Sequence, residues 1–226
     1  ITGAGSGISR SVAIALAAEG ADVVLMGRTR ETLEETRAAT PGSVVVVGDV
    51  AADADARAAV DTVLDRFGRL DGAFNGAGTF GTFGALHEDD EQNFDAVVGT
   101  NLRGVWACMR HELAAMRGTG GSIVNCGSVA SHRGHMRSPV YSATKHAIIG
   151  LSKSAALQYA ADGVRVNVVS PGSTDTAMLR SIYASAEDLE ARSRRAPLGR
   201  FGHPDEVADS VLWLLSDGAS YVTGQA

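Results

Sequence analysis

Along the chain, short β-rich and largely apolar runs alternate with stretches whose apolar residues recur every three or four positions. The runs are Ala21–Met26, Ser43–Val47, Leu70–Phe74, Ser122–Asn125 and Val164–Val169. Runs of this kind suit parallel strands covered on both faces. Between them, Ile8, Val12, Ala15 and Leu16 share one helical face before Gly20. Ala56, Val60, Val63, Leu64 and Phe67 do the same before Gly68. A longer stretch, Glu91–Met116, carries Phe94, Val97, Val98, Leu102, Val105, Trp106, Met109, Leu113 and Met116 at helical spacing. Strand–helix alternation predicts an α/β fold, a doubly wound parallel sheet of Rossmann-like kind in three layers. No repeat, low-complexity tract or Pro/Ser linker interrupts it, so residues 1–226 read as a single domain. The segment Ala177–Arg200 has weak periodicity and mixed charge, and reads as a mobile insertion or lid.

Composition narrows the classes. Apolar residues make up 45% of the 226 positions and charged residues 20%, enough apolar content for a packed core and too much for disorder. The net charge of −6 argues against a nucleic-acid or anionic-membrane surface. The two cysteines, Cys108 and Cys126, lack zinc-type spacing and suggest a reducing, cytoplasmic setting. No apolar run approaches the ~20 residues of a membrane span. His132 and His135 have no third partner in the sequence, so a metal site is not expected.

Three motifs carry candidate chemistry. The first is Thr2-Gly3-Ala4-Gly5-Ser6-Gly7-Ile8, opening a helix. Close-set glycines let backbone approach a phosphate, and the following helix start offers free N–H donors. Its Gly3-x-x-x-Gly7 spacing differs from G-x-G-x-x-G, so alone it is a weak signal. Dinucleotide folds often place an acid after the second strand to hold a ribose 2′-OH. Here that strand ends in Gly27-Arg28, and Arg28 is either a partner for a 2′-phosphate or a solvated turn residue. That leans toward NADP, with NAD possible. Asp49 is either an acceptor for an adenine amine or a helix cap; Asp53 reads as the better cap.

The second motif is Tyr141-Ser142-Ala143-Thr144-Lys145. Residues i and i+4 share a helix face. An ammonium beside a phenol lowers the phenol's pKa, which suits a general acid/base for a carbonyl or alcohol. A half-buried Tyr beside a snorkelling Lys is the plainer alternative. The third is Ser128, just past the carboxyl end of a strand, where open α/β sheets bind ligands. Asn101 falls on the apolar stripe of its helix and needs a specific partner there. That partner is either a helix carbonyl or a water near Lys145.

Together these residues resemble the short-chain dehydrogenases/reductases, in their compact single-domain form. The resemblance spans the record: Gly3–Gly7, Asp49-Val50, Asn75-Gly76-Ala77-Gly78, Asn101, Ser128, Tyr141/Lys145, Arg165-Val166-Asn167 and Pro171-Gly172 with Thr176. It implies a catalytic tetrad of Asn101, Ser128, Tyr141 and Lys145. Tyr141 would exchange the proton, Lys145 lower its pKa and hold the nicotinamide ribose, Ser128 orient the carbonyl, and Asn101 position a relay water. It implies cofactor contacts at Gly3, Ser6, Gly7, Ile8, Arg28, Asp49, Val50, Asn75, Gly76, Ala77, Tyr141, Lys145, Pro171, Gly172 and Thr176. It implies hydride exchange between NAD(P) and a secondary alcohol or ketone, cyclic substrates included. It also implies a homotetramer packed through Glu91–Met116 and Tyr141–Ala161, with Trp106, Met109 and Met116 either on that interface or in the core.

Departures from the family pattern are Ser9 for a usual glycine, Gly76 for a usual Asn and Thr174 for a branched aliphatic. The family's first strand is expected before Thr2 and its last after Ala226, so the record reads as trimmed at both ends. The basic segment His132–Arg137 is either a solvated loop or a feature favouring an anionic substrate. The rival class is a nucleotide-binding regulatory or scaffolding protein without turnover.

Overall fold

A computed structural model describes residues 1–183 and 185–226; Ala184, within the segment read as a lid, lies outside them. Five parallel strands form the sheet: β1 (Val24–Gly27), β2 (Val44–Val47), β3 (Gly72–Asn75), β4 (Gly121–Cys126) and β5 (Val164–Val169). Each falls on an expected run, and β5 matches to the residue. The β1–β2 pair and the β3–β4–β5 trio are separate ladders. Between them stand only Ile1 and Thr2, with Thr2 bridging to both Met26 and Asn75. The Ile1 carbonyl accepts from Met26 N at 2.9 Å, and Thr2 N donates to the Phe74 carbonyl at 3.0 Å. Past β5, Gly224 N donates to Val166 O, and Val168 N to Gln225 O, both at 2.8 Å.

Helices cover both faces, giving the three expected layers. On one side, α1 (Gly7–Ala18) packs with α9 (Pro204–Leu215), burying Val12 and Val211 against Phe74 and Val124. On the other, α3 (Asp53–Phe67), α5 (Gly104–Met116) and α6 (Pro139–Tyr159) bury Val60, Met109, Met116 and Ile148 against Ile123 and Val166. Met109 and Met116 are therefore core residues, while Trp106 remains 43% exposed.

Several local readings change. The stretch Glu91–Met116 is not one regular helix: α4 (Glu91–Val98) passes through a π-helical turn, Gly99–Arg103, into α5. Such a turn inserts a residue without breaking the axis, and often marks a functional position; here it carries Asn101. Asp53 does not cap α3. It lies inside the first turn, paired with Arg110 and His111 at 3.1 Å each. Asp49 closes its own turn instead, accepting from Ala51 N at 3.0 Å. The segment read as a lid forms two short helices, α7 (Ala177–Arg180) and α8 (Ala186–Arg194). They start because Thr176 and Ser185 accept from Leu179 N and Asp188 N, each at 3.1 Å. Local caps replace the periodicity that the segment lacks.

Candidate active site

The carboxyl ends of the strands open into one cleft of about 410 Å³. The glycine turn forms its floor. Gly3 and Gly7 have φ of +69° and +56°, values that disfavour any side chain. A Cβ at Gly3 would lie 2.9 Å from Ala77 Cα, and one at Gly7 3.2 Å from Thr176 Cγ2. Ser6 precedes α1 without capping it through its side chain, so the first helical N–H groups have no side-chain acceptor from that residue. Glycines pressed against neighbouring backbone, at an open helix N-terminus, are the donor set that suits a pyrophosphate.

The rest of the expected contacts line the same cleft: Arg28, Asp49 and Val50 at one end, Gly76 and Ala77 beside the glycine turn, Pro171, Gly172 and Thr176 opposite. Asn75 does not. Its side chain is 1% exposed and turns into the sheet, donating to Glu112 Oε2 at 2.9 Å and Asn125 Oδ1 at 3.0 Å. Because strand residues alternate faces, β3 aims Asn75 away while the loop after it borders the cleft. Two departures explain each other. A Cβ at Gly76 would collide with Ser9 Oγ and come within 2.6 Å of Phe74 Cε1. Ser9, buried at 3% exposure, occupies the space a side chain at 76 would need.

At the other end, Ser128, Tyr141 and Lys145 line the cleft together. One turn of α6 separates Tyr141 from Lys145, and Nζ lies 5.6 Å from the phenol ring centroid. Lys145 donates to the Cys126 carbonyl at 2.7 Å. Burial pulls its pKa below the ordinary lysine value. Tyr141 departs from the sequence expectation. Burial pushes its hydroxyl up to about 12, and hydrogen bonding with Ser128 only partly opposes this. Desolvation of the phenolate dominates, and the Lys145 ammonium is directed to the Cys126 carbonyl. Asn101, fully buried, bonds a loop residue and not a helix carbonyl. Its amide accepts from Thr79 N and donates to Thr79 O, both at 2.8 Å, with Thr144 Oγ1 at 3.3 Å. It thereby pins the loop after β3. A Cβ at Gly78 would sit 3.4 Å from Asn101 Oδ1 and 3.7 Å from Lys145 Nζ, so both polar groups face that glycine.

Sequence reading missed Thr79, Phe80 and Cys126. Phe80 lines the cleft with its ring 4.7 Å from that of Tyr141. The available signal was an aromatic between glycines, directly after a strand's carboxyl end.

A parallel sheet with a glycine-turn nucleotide seat, and a Tyr–Lys pair plus Ser at its far end, defines a Rossmann-type dinucleotide enzyme. The chain belongs to the short-chain dehydrogenase/reductase family. Residues 3–226 match the family model described as enoyl-(acyl carrier protein) reductase. The chain is 42% identical to the A-factor type gamma-butyrolactone 1'-reductase (1S-forming) of Streptomyces virginiae, over 99% of this chain and 90% of that protein. It superposes on crystal structures of levodione reductase, at TM-score 0.96 and 37% identity, and of a point variant of actinorhodin polyketide ketoreductase with NADPH, at 0.93 and 35%. Each alignment covers 100% of this chain and 92% of the other. The protein is accordingly an NAD(P)-dependent oxidoreductase of the secondary-alcohol/ketone class, and the non-catalytic nucleotide-binding alternative is not favoured.

Proposed function

We propose that this chain interconverts ketones and secondary alcohols with NADP(H), using Asn101, Ser128, Tyr141 and Lys145. The observation that carries this is the shared cleft: Ser128, Tyr141 and Lys145 open onto the same space as the glycine turn and Arg28. A bound nicotinamide supplies or accepts the hydride. The glycine turn and the start of α1 would hold the pyrophosphate, and Lys145 the ribose next to the nicotinamide. Pro171, Gly172 and Thr176 would border the ring.

Tyr141 gives its hydroxyl proton to the carbonyl oxygen during reduction and takes it back during oxidation. With its pKa raised to about 12, it stays a neutral phenol near pH 7, the form a general acid requires. Ser128 donates a hydrogen bond to the same oxygen and fixes its position. Asn101 fixes the loop at Thr79 and presents its amide toward the proton path beside Lys145.

Arg28 supports NADP as the cofactor. It stands 72% exposed at the cleft's end, with only a loose 3.9 Å pairing to Asp49. Its guanidinium is therefore available to a 2′-phosphate, and Gly27 offers no carboxylate to repel one. The protein works as a homotetramer in the cytoplasm, a reading that rests on the family resemblance and on the two free thiols. The test follows reduced-nicotinamide absorbance with NADPH or NADH across a panel of ketones. Turnover with NADPH is expected; nucleotide binding without turnover of any ketone or alcohol would overturn the assignment.

A further inference from the structure

The loop after β3 presents a second surface to the reacting end of the cleft. Its backbone is held at three points: Thr79 by Asn101, the Phe80 carbonyl by Ser138 Oγ at 3.0 Å, and Thr82 N by Asn93 Oδ1 at 2.8 Å. This fixes two rings. Phe80 lies against Tyr141, and Phe83 continues outward 5.6 Å from Phe80, centroid to centroid. His135 follows 6.1 Å beyond Phe83. The rings form an aromatic row that starts at the reactive phenol and continues beyond Phe80.

The outer end of that row is basic. The Arg137 guanidinium lies over the Phe83 ring at 5.7 Å. Burial first, and then the charges of Arg133, Arg137 and Arg192, hold the His135 imidazole below its ordinary pKa. Arg133 and Arg137 come from the loop before α6, and Arg192 from α8. Among the described residues, none of the three makes an ion pair, whereas Arg28, Arg180 and Arg200 all do. His135 Nδ1 is buried without a hydrogen-bond partner. All three arginines are exposed, so their guanidiniums are free to meet an anion.

We propose that the substrate is a ring ketone whose apolar body packs against Phe80 and Phe83, and whose distal carboxylate or similar anion is received by Arg133, Arg137 and Arg192. This rests on the ketone-reductase reading above and narrows its substrate. Contact with the aromatic edges and faces positions the carbonyl at Tyr141 and Ser128, while guanidinium groups select the charged tail by charge-assisted hydrogen bonds.

The experiment compares three ketones with NADPH: a fused two-ring ketone carrying a carboxylate on its far ring, its methyl ester, and 2-butanone. The carboxylate is expected to exceed the ester in kcat/KM by about tenfold or more at low salt. The advantage should shrink in about 0.5 M NaCl, where the screening length is only roughly 4 Å. Arg137→Met with Arg192→Met should lower the carboxylate's kcat/KM to that of the ester. Phe80→Ala should lower kcat/KM for both ring ketones relative to 2-butanone, with NADPH affinity measured alongside. Equal kcat/KM for carboxylate and ester in the wild type would overturn the proposal while leaving the reductase reading intact. Failure to oxidise NADPH with any ketone of a broad panel would instead overturn that reading, and this proposal with it.

Discussion

At the residue scale, the chemistry turns on how burial sets proton affinity. Tyr141 sits in a site where desolvation outweighs hydrogen bonding with Ser128, and its pKa rises to about 12. The sign follows directly. The acid form is the ground state below that value, so reduction needs no prior ionisation, while oxidation needs the phenol to lose its proton. Between about pH 7 and pH 9, kcat/KM for ketone reduction should stay flat and that for alcohol oxidation should climb. Steady-state rates in both directions across that range check this, and a reduction rate falling with a midpoint near neutrality would contradict it. Arg28 carries the second residue-scale prediction. Arg28→Ala should weaken NADP binding by about tenfold or more, the worth of a lost charge-assisted contact, and change NAD binding little. Titration of each nucleotide by fluorescence or calorimetry decides it; equal losses would remove Arg28 from the 2′-phosphate role.

At the scale of elements, the start of α1 and the end of β3 are fitted to each other. Ser9 fills the space beside Gly76, so the two positions are a matched pair rather than independent departures. Gly76→Ala should cost about 2 kcal/mol through overpacking, roughly 4–8 °C in Tm for a domain of this size. Adding Ser9→Gly should recover at least half of that loss, as thermal unfolding of the single and double variants will show. No recovery would mean that the clash lies with Phe74 alone. The strands were legible because unbroken apolar runs such as Val44–Val47 have few other uses in an α/β chain. The Tyr141/Lys145 pair was legible from i, i+4 spacing only in combination with the glycine turn, Ser128 and Asn101. The π-helical turn was not, because Val98, Asn101 and Val105 keep an ordinary helical period while the backbone takes an extra residue. Nor was the partner of Asn101, since Thr79 lies 22 residues earlier. The shift at Tyr141 depends on burial by elements distant in sequence, which spacing does not encode.

At the scale of the whole molecule, two helical faces remain uncovered. Trp106 on α5 is 43% exposed and Leu157 on α6 84% exposed, although both helices bury their opposite faces in the core. Among the described residues, no helix is long and apolar enough to cross a membrane. If these faces join subunits, Trp106→Glu with Leu157→Glu should lower the assembly order, because charges at an interface core are costly. Light scattering after size-exclusion chromatography should show a tetramer for the wild type and smaller species for the double variant. An unchanged mass would place the interface elsewhere.

The central claim is that the hydroxyl of Tyr141 carries the substrate's proton beside a nicotinamide seat. Its most direct test is Tyr141→Phe, with ketone turnover and NADPH affinity measured on the same preparation. Turnover should fall by about a thousandfold or more, beyond the range of a single lost binding contact, with NADPH affinity within about threefold of the wild type. A variant that still turns over ketone at the wild-type rate would contradict the account.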